Sequence, residues 1–190
     1  MVASASSGGE GAEPGDAAGR AALLARMGEK LLFQGLLPAQ LSRVADIVRV
    51  RRVEPGTVIV HERDYGDTLY LVDEGQVEVR VASPAGDRVV AEISAPRAGE
   101  FSHRGDFFGE MCLLDLEPRC ASVVAVEPTR LWEINRDDLY WLFGDDKQLQ
   151  LRILLAVARV LSRRLNLMDA PGGGSHPHHG PEANGPGRRG

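Results

Sequence analysis

The middle of this chain changes its hydrophobic period, and that change limits the folds open to it. Val77, Val79 and Val81 alternate with Glu78 and Arg80, the signature of a half-buried strand. Residues 57–60, 68–72, 88–93, 120–126 and 130–134 are further strand-like runs. Turn signals separate them: Glu54-Pro55-Gly56, Asp73-Glu74-Gly75, Pro84-Ala85-Gly86-Asp87 and Glu127-Pro128-Thr129. Short strands parted by turns predict an antiparallel sandwich or barrel. No helix-length stretch lies between them, which argues against a parallel α/β sheet.

Helices are predicted on both sides of this β region. Residues 21–27 are rich in helix formers. After Gly35, Leu37-Pro38 opens a second helix with Leu41, Val44, Ala45, Ile47 and Val48 on one face. Asn135 or Asp137 caps a short helix through Leu139, Trp141 and Leu142, ending at Gly144. Residues 145–168 then read as one long helix with two apolar faces. Leu151, Leu154, Ala158, Leu161 and Leu165 form a stripe; Ile153, Val157 and Val160 form the other face. One face is expected to pack on the β core, the other to meet a ligand or a second subunit. The stripe reads either as core packing or as the seam of a homodimer. It covers about two heptads, short of a coiled coil. Trp132 and Trp141 are expected to be core or half-buried anchors.

Both ends are predicted to be disordered. Residues 1–19 are Gly, Ala, Ser and acid, and eleven of residues 171–190 are Gly or Pro. The expected domain therefore runs from residue 20 to 169, with tails at 1–19 and 170–190. About 150 residues suffice for one well-buried core.

Of the 190 residues 43% are apolar and 26% charged, and the net charge is −5. That balance lacks the basic footprint of a protein that grips nucleic acid or an anionic membrane. Cys112 and Cys120 are too few for a disulfide scaffold, so a reduced, cytoplasmic setting is expected. No apolar run approaches the roughly 18 to 20 residues of a membrane span. The N-terminal residues lack the basic start and apolar core of a secretory signal.

The most informative segment is residues 105–122, Gly-Asp-Phe-Phe-Gly-Glu-Met-Cys-Leu-Leu-Asp-Leu-Glu-Pro-Arg-Cys-Ala-Ser. Gly109 permits a close backbone approach or an unusual backbone angle. Residues 110–114 are predicted to form one helical turn whose N–H groups suit an anion. Pro118 stops that turn, and the fork of Arg119 matches two phosphate oxygens. Glu110 beside a phosphate makes sense as an acceptor for a sugar hydroxyl. An anion carrying a ribose is a nucleotide. The bland alternative is a surface ion pair between Glu110 and Arg119.

Phe-Gly-Glu-Met-x-Leu-Leu, four residues, then Arg-x-Ala-Ser resembles the phosphate-binding cassette of cyclic nucleotide-binding domains. That family includes protein kinase A regulatory subunits, catabolite activator protein and cyclic nucleotide-gated channels. The resemblance spans about residues 32–167 and includes Gly66-Asp67-Thr68-Leu69-Tyr70-Leu71-Val72. It implies a mainly β fold with flanking helices: an antiparallel double-stranded β-helix (jelly-roll) barrel with N-terminal helices and a long C-terminal helix. It implies that Glu110 binds the ribose 2′-hydroxyl and that Gly109, Met111 and Cys112 face ribose and phosphate. Arg119 would pair with the cyclic phosphate and Cys120 would sit beside the base. Leu69, Leu71 and Val90 are candidate apolar liners. Members that prefer cGMP tend to carry Thr or Ser after the Arg, so Cys120 tilts the expectation towards cAMP. The stretch 94–104 is longer than the link usual before the cassette.

A non-enzymatic sensor is therefore expected, one that binds cAMP, or cGMP less well, and signals by movement of its last helix to an unknown protein partner. The alternative is a ligand-free interaction module of the same fold. A cupin-type metal enzyme needs a His pair, and only His61 lies on a strand, with His103 in the 94–104 stretch. No Gly-x-Ser-x-Gly or P-loop pattern is present. His176, His178 and His179, in a Gly/Pro-rich tail, read as solvated and not as a metal site. Direct DNA binding is not expected, because only a Gly/Pro-rich stretch follows Met168.

Overall fold

The computed structural model describes residues 17–95, 105–115 and 117–169. The chain enters through helix α1 (Ala17–Glu29), a 3₁₀ turn at Leu31–Phe33 and helix α2 (Pro38–Ala45). The strands follow: β1 (Arg49–Val53), β2 (Val58–Val60), β3 (Thr68–Glu74), β4 (Gln76–Val81), β5 (Arg88–Ser94) and β6 (Phe107–Phe108). A second 3₁₀ turn at Glu110–Leu113 precedes β7 (Ser122–Ala125) and β8 (Thr129–Asn135). Helices α3 (Arg136–Asp145) and α4 (Lys147–Asp169) close the domain.

Local chemistry explains most of these boundaries. Pro38 occupies the first turn of α2, where its missing N–H costs nothing. Asn135 caps α3 by accepting from the Asp137 N–H at 2.8 Å. The Asp146 carboxylate accepts from the Leu149 N–H at the start of α4, which holds its pKa below the usual carboxylate value. Gly56 and Gly75 take the positive φ that their turns require. The first helix begins at Ala17, three residues inside the segment expected to be disordered.

The strands form two antiparallel ladders, in the orders β1-β8-β3-β6 and β2-β7-β4-β5. The expected all-antiparallel β core is present. No strand pair joins the two ladders among the described residues. Between them lies one core of Val53, Ile59, Val72, Val77, Ile93, Phe108, Val123, Ala125 and Leu131. A second core fills the space between the outer face of the β1-β8-β3-β6 sheet and the helices. It contains Leu69, Leu71, Phe107, Trp132 and Ile134 with Met27, Phe33, Leu139, Phe143, Leu149, Ile153 and Val157.

That sheet is thus buried on both faces, which is why residues 69–72 form a continuous apolar run instead of alternating. It also corrects two expectations. Leu69 and Leu71 face the helices, so they pack in the helical core and do not line the space between the sheets; Tyr70 and Val72 do. Trp132 is buried, but Trp141 is 69% exposed and anchors nothing in the core.

Helix α4 resolves the choice between its two apolar faces. Ile153, Val157 and Val160 pack inward with Leu149 and Ala156. Leu151 and Leu165 of the other stripe are 59% and 61% exposed, while Leu161 packs partly against the core. The expected 94–104 loop lies outside the described residues except for Ser94 and Ala95, as do both tails beyond residues 17 and 169.

Candidate functional site

Strand β6 delivers the chain to the site. Tyr70 stacks on Phe108 across the β3–β6 pair, with ring centroids 5.0 Å apart. Gly109 follows at φ 79°, the left-handed region that glycine enters without strain. The 3₁₀ turn Glu110–Leu113 then starts where a helical turn was expected. Within it the Cys112 N–H donates to the Gly109 carbonyl at 3.2 Å, so this donor is committed to the turn itself. Met111 is exposed, Cys112 is buried and Cys120 is exposed. Burial pushes the Cys112 thiol up, against the opposing pull of Arg119. It remains a thiol near neutrality.

Arg119 sits in a slot built from backbone. Its Nη1 donates to the Gly109 carbonyl at 3.0 Å and its Nη2 to the Thr68 carbonyl at 2.7 Å. Its own N–H donates to the Asp64 carbonyl and its carbonyl accepts from the Arg63 N–H. A Cβ on Gly66 would stand 2.8 Å from both Nε and Nη2, and one on Gly109 would stand 2.8 Å from Nη1. Two glycines are therefore the walls of the slot. The guanidinium has five N–H donors. The two carbonyls fix the fork's orientation and leave further donors on it for an anion.

Glu110 is buried, yet its partner is not Arg119. Its Oε1 accepts from Arg164 Nη1 of α4 at 2.8 Å. Arg164 Nη2 also donates to the Phe107 carbonyl, and the guanidinium lies 5.4 Å from the Phe107 ring centroid. The surface ion pair between Glu110 and Arg119 is therefore overturned: each is held by a different element. Val90 falls at the β-bulge where β5 shifts register against β4, and is half-buried there.

Of the residues singled out in the sequence, the structure brings Gly109 and Arg119 into contact, and Glu110 follows Gly109 at the head of the 3₁₀ turn, held by Arg164. Sequence reasoning missed the roles of Gly66 and Arg164. Gly66 carried a signal, since it stands in the Gly-Asp-Thr stretch that matched the family. Arg164 carried none, because it is one of several arginines on a long helix.

The sequence model of the cyclic nucleotide-binding domain matches residues 50–146, half of the chain. A cAMP-dependent protein kinase regulatory subunit from Hypocrea atroviridis is 30% identical over 113 residues, 60% of this chain and 22% of that protein. The cyclic AMP receptor protein of Thermus thermophilus is 33% identical over 138 residues, 73% of this chain and 58% of the receptor. The chain thus spans only part of the curated relatives. Among solved structures, a cyclic nucleotide-binding domain from Methylobacillus flagellatus superposes with a TM-score of 0.65 at 26% identity, covering 78% of this chain and 79% of that one. The regulatory domain of Toxoplasma gondii PKA, crystallised with cAMP, gives 0.56 at 29% identity, covering 66% and 44%. This chain belongs to the cyclic nucleotide-binding domain family.

Proposed function

We propose that the domain is a regulatory sensor that binds a cyclic nucleotide at residues 109–120, cAMP in preference to cGMP, and acts through α4 instead of by catalysis. The observation that carries this reading is the glycine-walled slot that aims the Arg119 fork beside a buried Glu110. Arg119 supplies the donors for the cyclic phosphate and Glu110 the acceptor for a ribose hydroxyl. Gly109, Met111 and Cys112 border the sugar and phosphate. Cys120, beside the base, offers only a weak thiol partner, which favours adenine over the more polar guanine edge. The cAMP-bound Toxoplasma relative supports the same ligand class.

Transmission follows from Arg164. A sugar hydroxyl that donates to Glu110 engages the carboxylate that anchors α4. The ligand moves α4 only by its differential affinity for the two positions of that helix. The output is a protein partner, and a second copy of this chain is the one its outer stripe fits. Leu151, Leu154, Ala158, Leu161 and Leu165 keep a 3-4-3-4 spacing, with Leu151 and Leu165 exposed. No described helix is long and apolar enough to cross a membrane, and the cytoplasm is the proposed setting.

Thermal unfolding with and without nucleotide tests the reading. At ligand about 100 times Kd, linkage predicts about 2.7 kcal/mol of stabilisation, which is a rise of several degrees in Tm for a domain of this size. The larger rise is expected with cAMP. A larger rise with cGMP overturns the preference. No rise with either at millimolar concentration leaves the ligand-free interaction module.

A further inference from the structure

A buried ion pair lies just upstream of the cassette and plays no part in the mechanism so far. Lys30, between α1 and the first 3₁₀ turn, is almost fully buried, and Asp106 is 1% exposed. Lys30 Nζ stands 3.3 Å from Asp106 Oδ2 and donates to the Val72 carbonyl at 2.7 Å. The Val72 N–H in turn donates to the Asp106 carbonyl at 2.7 Å. Lys30 and Asp106 thus grip one residue of β3 from its two polar sides. Lys30 Nζ also lies 5.4 Å from the Trp132 ring centroid.

This arrangement is a poor way to gain stability. Neither carboxylate oxygen of Asp106 has a hydrogen-bond partner among the described residues. Burying two charges forfeits their hydration, and a well-packed apolar pair is often as stable or more so. An under-satisfied buried group calls for an explanation other than folding. Position supplies one. Asp106 directly precedes Phe107–Phe108, and Gly109 and Glu110 follow at once. The residue after Asp106, the first of that strand, is held by Arg164, which donates to the Phe107 carbonyl. The charged groups facing Asp106 are Lys30 from the N-terminal segment and Arg164 from α4.

We propose that Lys30 and Asp106 are a positioning pair: they fix β6 against β3, and so let the N-terminal helical segment set the placement of Gly109 and Glu110. Neither residue touches the ligand. The proposal about affinity rests on the nucleotide reading above, whereas the placement of β6 does not. Ionised Asp106 holds Lys30; protonated Asp106 does not. Nucleotide affinity therefore falls as pH is lowered through the titration of Asp106, which burial places above the usual carboxylate value, and Asp106→Asn flattens that profile.

The test uses the full chain with the Lys30→Met/Asp106→Leu double variant, which replaces the pair by apolar side chains, and Asp106→Asn as a second variant. Hydrogen exchange is read first, without ligand. The pair predicts faster exchange confined to residues 106–114, with the β1–β8 ladder unchanged and Tm kept or raised. Titration with cAMP is read second. A Kd about three- to thirtyfold weaker is expected, the range for residues that act through others. Unchanged exchange at 106–114 in both variants overturns the proposal, whether or not nucleotide binds. Faster exchange with an unchanged Kd and an unaltered pH profile overturns its link to affinity. A native chain that binds no nucleotide sinks the ligand reading, and the exchange result still decides the pair.

Discussion

At the scale of single residues, Gly66 shows how a position without a side chain controls one that has a charge. It has no positive φ, so alanine there is not strained by its backbone angle. The added Cβ meets only the far end of Arg119. Gly66→Ala is expected to leave Tm nearly unchanged while it displaces the guanidinium and weakens nucleotide binding by about tenfold or more, the worth of a charge-assisted hydrogen bond. Circular dichroism melting and a binding titration on the same sample check both halves. Gly109 cannot be used in this way. Its positive φ and the nearby Thr68 carbonyl would strain the backbone itself. The cassette was legible because its residues are contiguous and their types, Gly, Glu, Pro and Arg, each have one dominant physical use. The partner of Glu110 was not legible, since Arg164 lies 54 residues away and only the packing of α4 brings it near.

At the scale of elements, α4 is the part whose sequence left most open. Two apolar faces were visible, but which one turns inward depends on the shape of the surface beneath. The structure turns Ile153, Val157 and Val160 inward and leaves Leu151 and Leu165 out. The same ambiguity misassigned Leu69 and Leu71. In a strand buried on both faces the pattern does not say which side meets the second sheet. Two predictions belong here. Arg164→Ala removes the cation from a buried Glu110, and nucleotide affinity is expected to fall about tenfold, since an unpaired buried carboxylate is costly to keep ionised. A titration in which Arg164→Ala binds as tightly as the native chain would remove α4 from the coupling. Leu151→Glu with Leu165→Glu is expected to convert a self-associated species to monomer in sedimentation equilibrium while leaving Tm within a degree or so, because exposed positions contribute little to folding. A native chain that is already monomeric at high concentration contradicts the seam.

At the scale of the whole molecule, charge ties the N-terminal helices to the β core. Arg26 of α1 pairs with the buried carboxylate of Asp73, which also accepts from Arg130 Nε at 2.6 Å. Arg26 and Lys30 both lie over Trp132. This network explains why a helix with a single fully buried side chain, Met27, is nonetheless held in place. It also gives the fold an expected response to pH. Burial raises the Asp106 carboxyl above its usual value. A carboxyl raised on folding favours the folded state in its protonated form. Its contribution is therefore present below the unfolded value and lost as pH rises through the raised one. Asp106→Asn mimics the protonated form. The variant also leaves the buried Lys30 without its carboxylate, so the expectation is a slope: the stability gap between the two chains shifts in favour of the native chain as pH falls through the raised Asp106 value. Asp67, held below the usual value by the Asn135 amide, works in the opposite direction, but it is present in both proteins and cancels in the difference. Denaturant unfolding of the two chains across that range measures the gap, and a constant gap contradicts the assignment. None of this network could be read from the sequence, where Arg26, Lys30, Asp73 and Asp106 look like ordinary surface charges.

The claim on which the account depends is that Arg119 receives the phosphate of a cyclic nucleotide. Isothermal titration of cAMP into the native chain and into Arg119→Ala tests it most directly. One-to-one binding by the native chain, weakened about ten- to a hundredfold in the variant as loss of a charged hydrogen bond requires, is the predicted result. Equal affinity in the two proteins, or no heat in either at millimolar nucleotide, would contradict it.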